Sequence, residues 1–328
     1  MLNKKIVAID NDYLSLDGTM CLKGILAVCI LLHHLYQRTS ILLGTVFGGI
    51  LQSMGYLSVA GFFFITGYGL MAQYMHSRKR YMAHFLRNRI LSLYIMYLMT
   101  AVLYLIYNLW CGGIEVSILS IIKTLTFGGT IVENGWYIQA VFIVYIAFYM
   151  IFRLSIQDDL KVALMFLATI FYCILCLIMN LPNTWYESIF AVVLGIAWCR
   201  YRNKIDNMFS GYIPMLVGMI FLFCTSFLLY RCGIFTPAIS VLFEIVSALA
   251  FAALVTLLIV NVSIRCRITR FLGAISFEIY VLQGLFMSAL RNVIHNDYVY
   301  ILSVIPCVLI GSFVYHQIIK RVNKYIKR

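Results

Sequence analysis

The chain has 328 residues, 63% of them hydrophobic and only 11% charged, with 25 Lys and Arg against 12 Asp and Glu and a formal net charge of +13. A mean hydropathy of +0.95 lies far outside the composition of soluble domains and excludes an ordinary water-soluble enzyme. The expected fold class is all-α: a polytopic integral membrane helical bundle, read as a single domain over residues 1–328 with no appended soluble domain.

Apolar runs of about 20 residues predict spans at 20–37, 53–75, 90–110, 136–153, 161–180, 184–200, 211–230, 237–262, 272–291 and 298–319. That makes about ten transmembrane helices. The acidic stretch Asp10-Asn-Asp-Tyr-Leu-Ser-Leu-Asp17 precedes the first run, and no small-residue cleavage site follows it. Span one is therefore expected to be retained rather than removed as a signal peptide.

Span one carries Lys23 and His34 with ten residues between them. Eleven helical steps return to the same face within about 20° and cover roughly 16 Å. Either group buried against lipid costs several kcal/mol, so the pair marks a path inside the bundle. His33 is about 100° away from His34 around a helix, so the two cannot face one ligand equally. His34 is the one in phase with Lys23.

Span two holds Ser58-Val-Ala-Gly-Phe-Phe-Phe-Ile-Thr-Gly-Tyr-Gly-Leu70, whose Gly61, Gly67 and Gly69 permit close helix approach. The loop at 78–89 is the densest basic segment, with Arg78, Lys79, Arg80, Arg87 and Arg89 interleaved with Tyr81 and Phe85. It suits lipid headgroups or a phosphate-rich ligand. The connection at 111–135 mixes Gly112, Gly113, Gly128 and Gly129 with an apolar run, as an interfacial or re-entrant helix would. It ends at Glu133-Asn-Gly-Trp-Tyr137, an aromatic pair placed to anchor the outer interface. Span nine has Ser276, Glu278, Tyr280 and Gln283 in its inner half. Glu278 is expected to pair with Arg87, Arg89 or Arg270.

Placing the N-terminus inside puts 21 of the 25 basic residues in cytoplasmic segments, among them Lys4, Lys5, Lys161, Lys327 and Arg328, and leaves only Arg38, Lys123, Arg231 and Arg291 outside. This positive-inside bias accounts for the basic charge without nucleic acid and sets both termini in the cytoplasm. The ten cysteines fall mostly within apolar spans or at the inner face, with only Cys111 and Cys232 at the outer face. Buried apolar thiols explain them better than disulfides, metal or redox chemistry. No metal is expected.

Lys23 with His34, Phe62-Phe63 with Thr66-Gly67-Tyr68, Arg89, Trp136-Tyr-Ile, and Gly273 with Ile275-Ser276-Phe277 and Tyr280 occur in one order along the chain. Together they closely resemble the membrane acyltransferase 3 family, ten-span O-acetyltransferases of bacterial envelope glycans. The resemblance covers essentially the whole chain. Three positions depart from the family pattern: Lys23 stands where Arg is usual, Ala60 where an acid precedes the Phe pair, and Ser92 where a second basic residue belongs. Gln283 takes a place often held by His.

The resemblance implies acetyl-CoA as the acyl donor, arriving from the cytoplasm, and a hydroxyl of an envelope glycan or glycolipid as acceptor. It implies Lys23, Arg87 and Arg89 for the donor phosphates, and His34, with Lys23, for catalysis. Glu133, Trp136 and Tyr137 would meet the acceptor at the outer mouth. The expected location is the inner (plasma) membrane, surrounded by lipid. A charged path through ten spans would equally serve a transporter or flippase for an envelope lipid or glycan. The departures at Ala60 and Ser92 also fit a non-catalytic envelope partner.

Overall fold

The computed structural model describes residues 13–111, 116–208 and 211–326. Lys4, Lys5, Asp10, Asn11, Asp12, Gly112, Gly113, Lys327 and Arg328 lie outside the described residues. The described chain is helical, without strands: α1 (Leu16–Gln37), α2 (Val46–His76), α3 (Arg78–Phe85), a π-helical turn (Leu86–Leu91), α4 (Ser92–Cys111), α5 (Ile118–Leu125) and α6 (Trp136–Phe152). There follow α7 (Asp158–Ile178), α8 (Phe190–Arg200), α9 (Arg202–Met208), α10 (Tyr212–Arg231), α11 (Pro237–Asn261), α12 (Arg267–Ala274), α13 (Ser276–Arg291) and α14 (Asp297–Ile326). Local signals set several ends. Thr45 caps α2 by accepting the Gly48 N–H at 3.1 Å, and Pro237 opens α11 where its missing N–H has no helical partner to lose.

Among the described residues seven helices are long and apolar enough to cross a bilayer, or eight if α12 and α13, broken at Ile275, form one span. The segments expected at 136–153 and 184–200 are helical over only 17 and 11 residues. An 11-residue helix is about 16 Å long, half of a hydrocarbon core. Pro182 and the 3₁₀ turn Asn183–Trp185 precede or open that run, and the polar Glu187 and Ser188 fall in the part of it that α8 does not reach. On the predicted interfacial stretch, α5 exposes Ile118, Leu119, Ile122 and Leu125.

The chain divides into two compact units, each gathered from three stretches. The first comprises Met1–Ile30, Ser53–Ala72 and Tyr186–Ala274. Glycines knit it. A Cβ on Gly67 would lie 2.0 Å from the Val192 carbonyl oxygen, and one on Gly195 would lie 2.1 Å from that of Phe64, so α2 and α8 touch backbone to backbone. Gly24 and Gly273 do the same for α1 and α12. Gly61 seats Leu26, whereas Gly69 has open space around it and no packing role. At one end of this unit Trp198 donates to the Tyr13 hydroxyl at 3.0 Å, Tyr13 donates to Asp206 at 3.0 Å, and Arg202 donates to Tyr68 at 2.7 Å. Tyr68 of the span-two motif thereby ties α2 to α9.

The second unit comprises Leu31–Gln52, Gln73–Trp185 and Ile275–Arg328, and its fastening is polar and aromatic. Gln139 donates to the carbonyls of Lys123, Thr124 and Gly129, which fixes the connection that follows α5 to α6. Phe85, fully buried, stacks on Phe148 and Tyr149 and anchors the end of α3. Lys161, counted among the cytoplasmic-segment charges, is 4% exposed: it donates to the Tyr74 hydroxyl at 2.8 Å, pairs with Asp158 at 3.4 Å and lies over the Tyr74 and Phe152 rings. Two close faces and one carboxylate replace the water this ammonium gives up.

Glu278 does not take the arginine expected for it. Its Oε1 is 2.8 Å from Nδ1 of His316, while Arg270 forms a two-point pair with Asp17 at 2.6 and 2.7 Å within the first unit. Ser92, at the position where a second basic residue was expected, donates to Asn323 of α14 at 2.6 Å.

Candidate active site around the Glu133 turn and the basic π turn

Helix α1 is unbroken from Leu16 to Gln37, so Lys23 and His34 lie on one helix at the predicted spacing, Lys23 in the first unit and His34 in the second. The two adjacent histidines are differentiated by their bonds. His33, 8% exposed, has Nδ1 3.0 Å from the Leu51 carbonyl. That carbonyl can only accept, so His33 carries its proton on Nδ1 and fastens α1 to the start of α2. His34 has Nδ1 3.2 Å from Oε1 of Gln37. The amide oxygen likewise accepts, which leaves Nε2 of His34 with its lone pair and, among the described residues, no recorded partner.

One turn beyond His34, Arg38 forms an ion pair with Glu133 and donates to Ser288 at 3.2 Å, and Ser288 lies 3.4 Å from the second oxygen of Glu133. Burial works against the Arg38 cation, but the Glu133 carboxylate outweighs it and raises the guanidinium pKa above its ordinary value. Glu133 sits in a tight turn that the sequence encodes. Asn134 adopts the left-handed conformation at φ 60°, and a Cβ on Gly135 would collide with Thr130 at 2.7 Å. The hydroxyl of Tyr280 clamps this turn from α13 by donating to the Asn134 carbonyl at 2.6 Å. Gly284 completes the seat, since a Cβ there would come within 2.7 Å of both Glu133 and the Tyr104 hydroxyl.

These groups line an open cavity of about 460 Å³ bounded by Arg38, Tyr104, Asn108, Glu133, Ser288 and Asn292. That volume is in the range of small-molecule sites, and the wall is richer in hydroxyl, amide and charged groups than most. Trp136 and Tyr137 stand at the start of α6, packed on Trp185 and Tyr280 with ring centroids 6.2 and 5.2 Å apart. Their packing buttresses this turn. Sequence reasoning missed Arg38, Ser288, Tyr104 and Gly284. One signal was available: Arg38 is among the four basic residues expected outside and follows His34 by one helical turn.

Arg87 and Arg89 lie on the π-helical turn. The N–H of Ser92 bonds to the Arg87 carbonyl five residues back, which widens the turn. Arg87 is exposed, and Arg89, half-buried, lies with its guanidinium over the Tyr81 ring at 5.9 Å. An arginine held on an aromatic face keeps its fork oriented for an anion.

No curated protein and no solved structure matches this chain. A family of acyltransferase domains, acyltransferase 3, matches residues 14–317, which takes in α1, the basic π turn, the Glu133 turn and both of the helices that flank Ile275. With nearly its whole length matched and its long apolar helices in place, the chain belongs to the acyltransferase 3 family of membrane acyltransferases.

Proposed function

We propose that this acyltransferase moves an acetyl or similar acyl group from cytoplasmic acyl-CoA to a hydroxyl of a cell-envelope or exported glycan. In this reading it is a ten-span plasma-membrane protein with both termini inside, the shorter α6 and α8 completing the count. The observation that carries the reading is the state of His34: a half-buried imidazole whose Nδ1 proton is committed to Gln37 and whose Nε2 lone pair is unengaged, one turn from a polar cavity. That is what a general base for a hydroxyl requires. Nε2 accepts the hydroxyl proton as the oxygen attacks the thioester carbonyl, and the C–S bond breaks to release the thiolate. The same nitrogen could carry the acyl group between donor and acceptor.

Glu133 and Ser288 supply acceptors and a donor for sugar hydroxyls, with Arg38 holding the carboxylate in place. Trp136 and Tyr137 shape the entrance. Arg87 and Arg89 bind the donor phosphates, Arg89 pre-set by its aromatic seat, and Lys23 takes the donor role that the family pattern assigns to its position. Purified protein given radiolabelled acetyl-CoA and the envelope glycan of its host should yield labelled, alkali-labile ester on the glycan. Movement of unmodified glycan across proteoliposomes with no label transfer would replace this reading with a flippase.

A further inference from the structure

The second unit contains a titratable pair for which the proposed chemistry has not accounted. Glu278 on α13 is buried, with its Oε1 on Nδ1 of His316 at 2.8 Å. Its other oxygen, Oε2, is buried with no hydrogen-bond partner among the described residues. A carboxylate accepts, so His316 presents a proton from Nδ1 and turns Nε2 the other way, the arrangement by which a carboxylate steadies an imidazolium. A buried acid next to lipid is expensive and marks function by default. His316 keeps 28% of its side chain accessible while Glu278 keeps 4%, so the imidazole is the member of the pair within reach of a ligand.

The pair's place in the fold indicates which ligand. Ser312, His316, Ile319 and Asn323 follow one another at spacings of four, three and four, one face of α14. At the inner end of that stripe Asn323 accepts from Ser92, the residue that closes the π turn bearing Arg87 and Arg89. His316 is seven residues further along, roughly 10 Å toward the bundle interior. One turn beyond it, the Ser312 hydroxyl is buried and also lacks a partner. A polar stripe thus leads from the basic turn into the helices and ends on buried atoms with unused hydrogen-bonding capacity, which calls for a bound water or ligand.

Resting on the acyl-CoA reading above, we infer that His316, oriented by Glu278, is the acid that protonates the coenzyme A thiolate as the acyl group leaves. The step balances: the C–S bond breaks, sulfur takes the electron pair, His316 gives its Nε2 proton to that sulfur, and the neutral imidazole is reprotonated from the cytoplasm. His34 handles the proton of the acceptor hydroxyl. Glu278 is a positioning residue that holds the His316 ring by Nδ1 and keeps Nε2 aimed away from the carboxylate.

The test uses membranes from the native host, whose own glycan serves as acceptor, with two donors: acetyl-CoA and the acetyl thioester of 4-nitrothiophenol, whose acidic thiol leaves without a proton. His316→Gln should lower kcat with acetyl-CoA by about 10²–10⁴-fold while leaving KM nearly unchanged. With the nitro thioester its deficit should shrink to about threefold, since no acid is then required. Glu278→Gln should show the same pattern more weakly and Glu278→Asp should recover part of the loss, which also covers the case of a poorly folding His316 variant. Equal deficits on the two donors, or a wild-type kcat in His316→Gln, would overturn the assignment. Failure of labelled CoA to bind the wild-type protein would instead remove the donor reading itself and this inference with it.

Discussion

The two units are held together by different means. The first relies on backbone contacts at Gly24, Gly67, Gly195 and Gly273, each with a neighbouring main-chain atom closer than any Cβ would permit. The second relies on side chains: Gln139 on three carbonyls, Lys161 in an aromatic box, Arg38 on Glu133, Glu278 on His316. Small residues give membrane helices close van der Waals packing without polar groups. Buried polar networks are expensive unless satisfied and can be rearranged by a ligand. The contrast reads as scaffold against workplace, and it can be broken experimentally.

The largest effect is expected at the paired histidines. His34→Ala should reduce acyl transfer by about 10²–10⁴-fold with the protein still well expressed, because it removes the imidazole that stands one turn from the Arg38–Glu133 cavity with its Nδ1 held by Gln37. His33→Ala removes a strut to the Leu51 carbonyl and should cost on the order of 1 kcal/mol of stability with modest loss of rate. Rates measured alongside thermal unfolding separate the two. A larger rate loss in His33→Ala would reverse their roles and shift weight to the transporter reading.

Next comes the basic turn. Replacing Arg87 and Arg89 together by Ala should weaken acetyl-CoA binding by about 10²–10⁴-fold, since hydrogen bonds to charged groups contribute about 1.5–3 kcal/mol each. Folding should change little, because Arg87 is exposed and the turn is anchored by Phe85. Equilibrium binding of labelled CoA reads this directly. Unchanged affinity in a monodisperse double variant would move the donor site elsewhere.

The scaffold side of the comparison predicts the reverse signature. Gly67→Leu would drive a side chain into the Val192 carbonyl 2.0 Å from the ideal Cβ position, and overpacking of this kind costs about 1–3 kcal/mol. Gly69→Leu, with nothing within 4 Å, should be nearly neutral. Thermal unfolding in detergent distinguishes them, and equal behaviour of the two variants would remove the glycine-scaffold account of the first unit.

The helices and their order were legible because apolar runs and caps are local, and the family motifs were legible because each is a short stretch of adjacent residues. What the sequence hid are the pairings across it. Arg38 and Glu133 are 95 residues apart, Glu278 and His316 38 apart, and nothing local announces either choice of partner. Glu278 therefore looked like one more carboxylate near many arginines. Lys161 was countable only as one more cytoplasmic-segment charge, because its aromatic box comes from α2 and α6. The π turn was invisible too, since its widening depends on how Phe85 and Ser92 are pinned rather than on composition. The polar second unit was the harder of the two to read for this reason.

Natural thiols give the smallest effect and test the orientation of both units without mutation. Cys111, in the second unit, and Cys232 and Cys266, in the first, are exposed free thiols. The proposed topology puts the first two outside and Cys266 inside. The Thr269 hydroxyl and N–H both lie near the Cys266 sulfur, and these hydrogen bonds hold its thiol pKa below the ordinary value. A lowered pKa leaves more thiolate at neutral pH, and the thiolate is the form that alkylates. An impermeant maleimide on intact cells should therefore tag Cys111 and Cys232 and spare Cys266. After permeabilisation Cys266 should react, and its rate should begin to fall only at a lower pH than that of an unperturbed thiol, pKa about 8.5. Modification of Cys266 from outside intact cells would invert the membrane orientation, and with it the placement of the Glu133 cavity outside and the arginine turn inside.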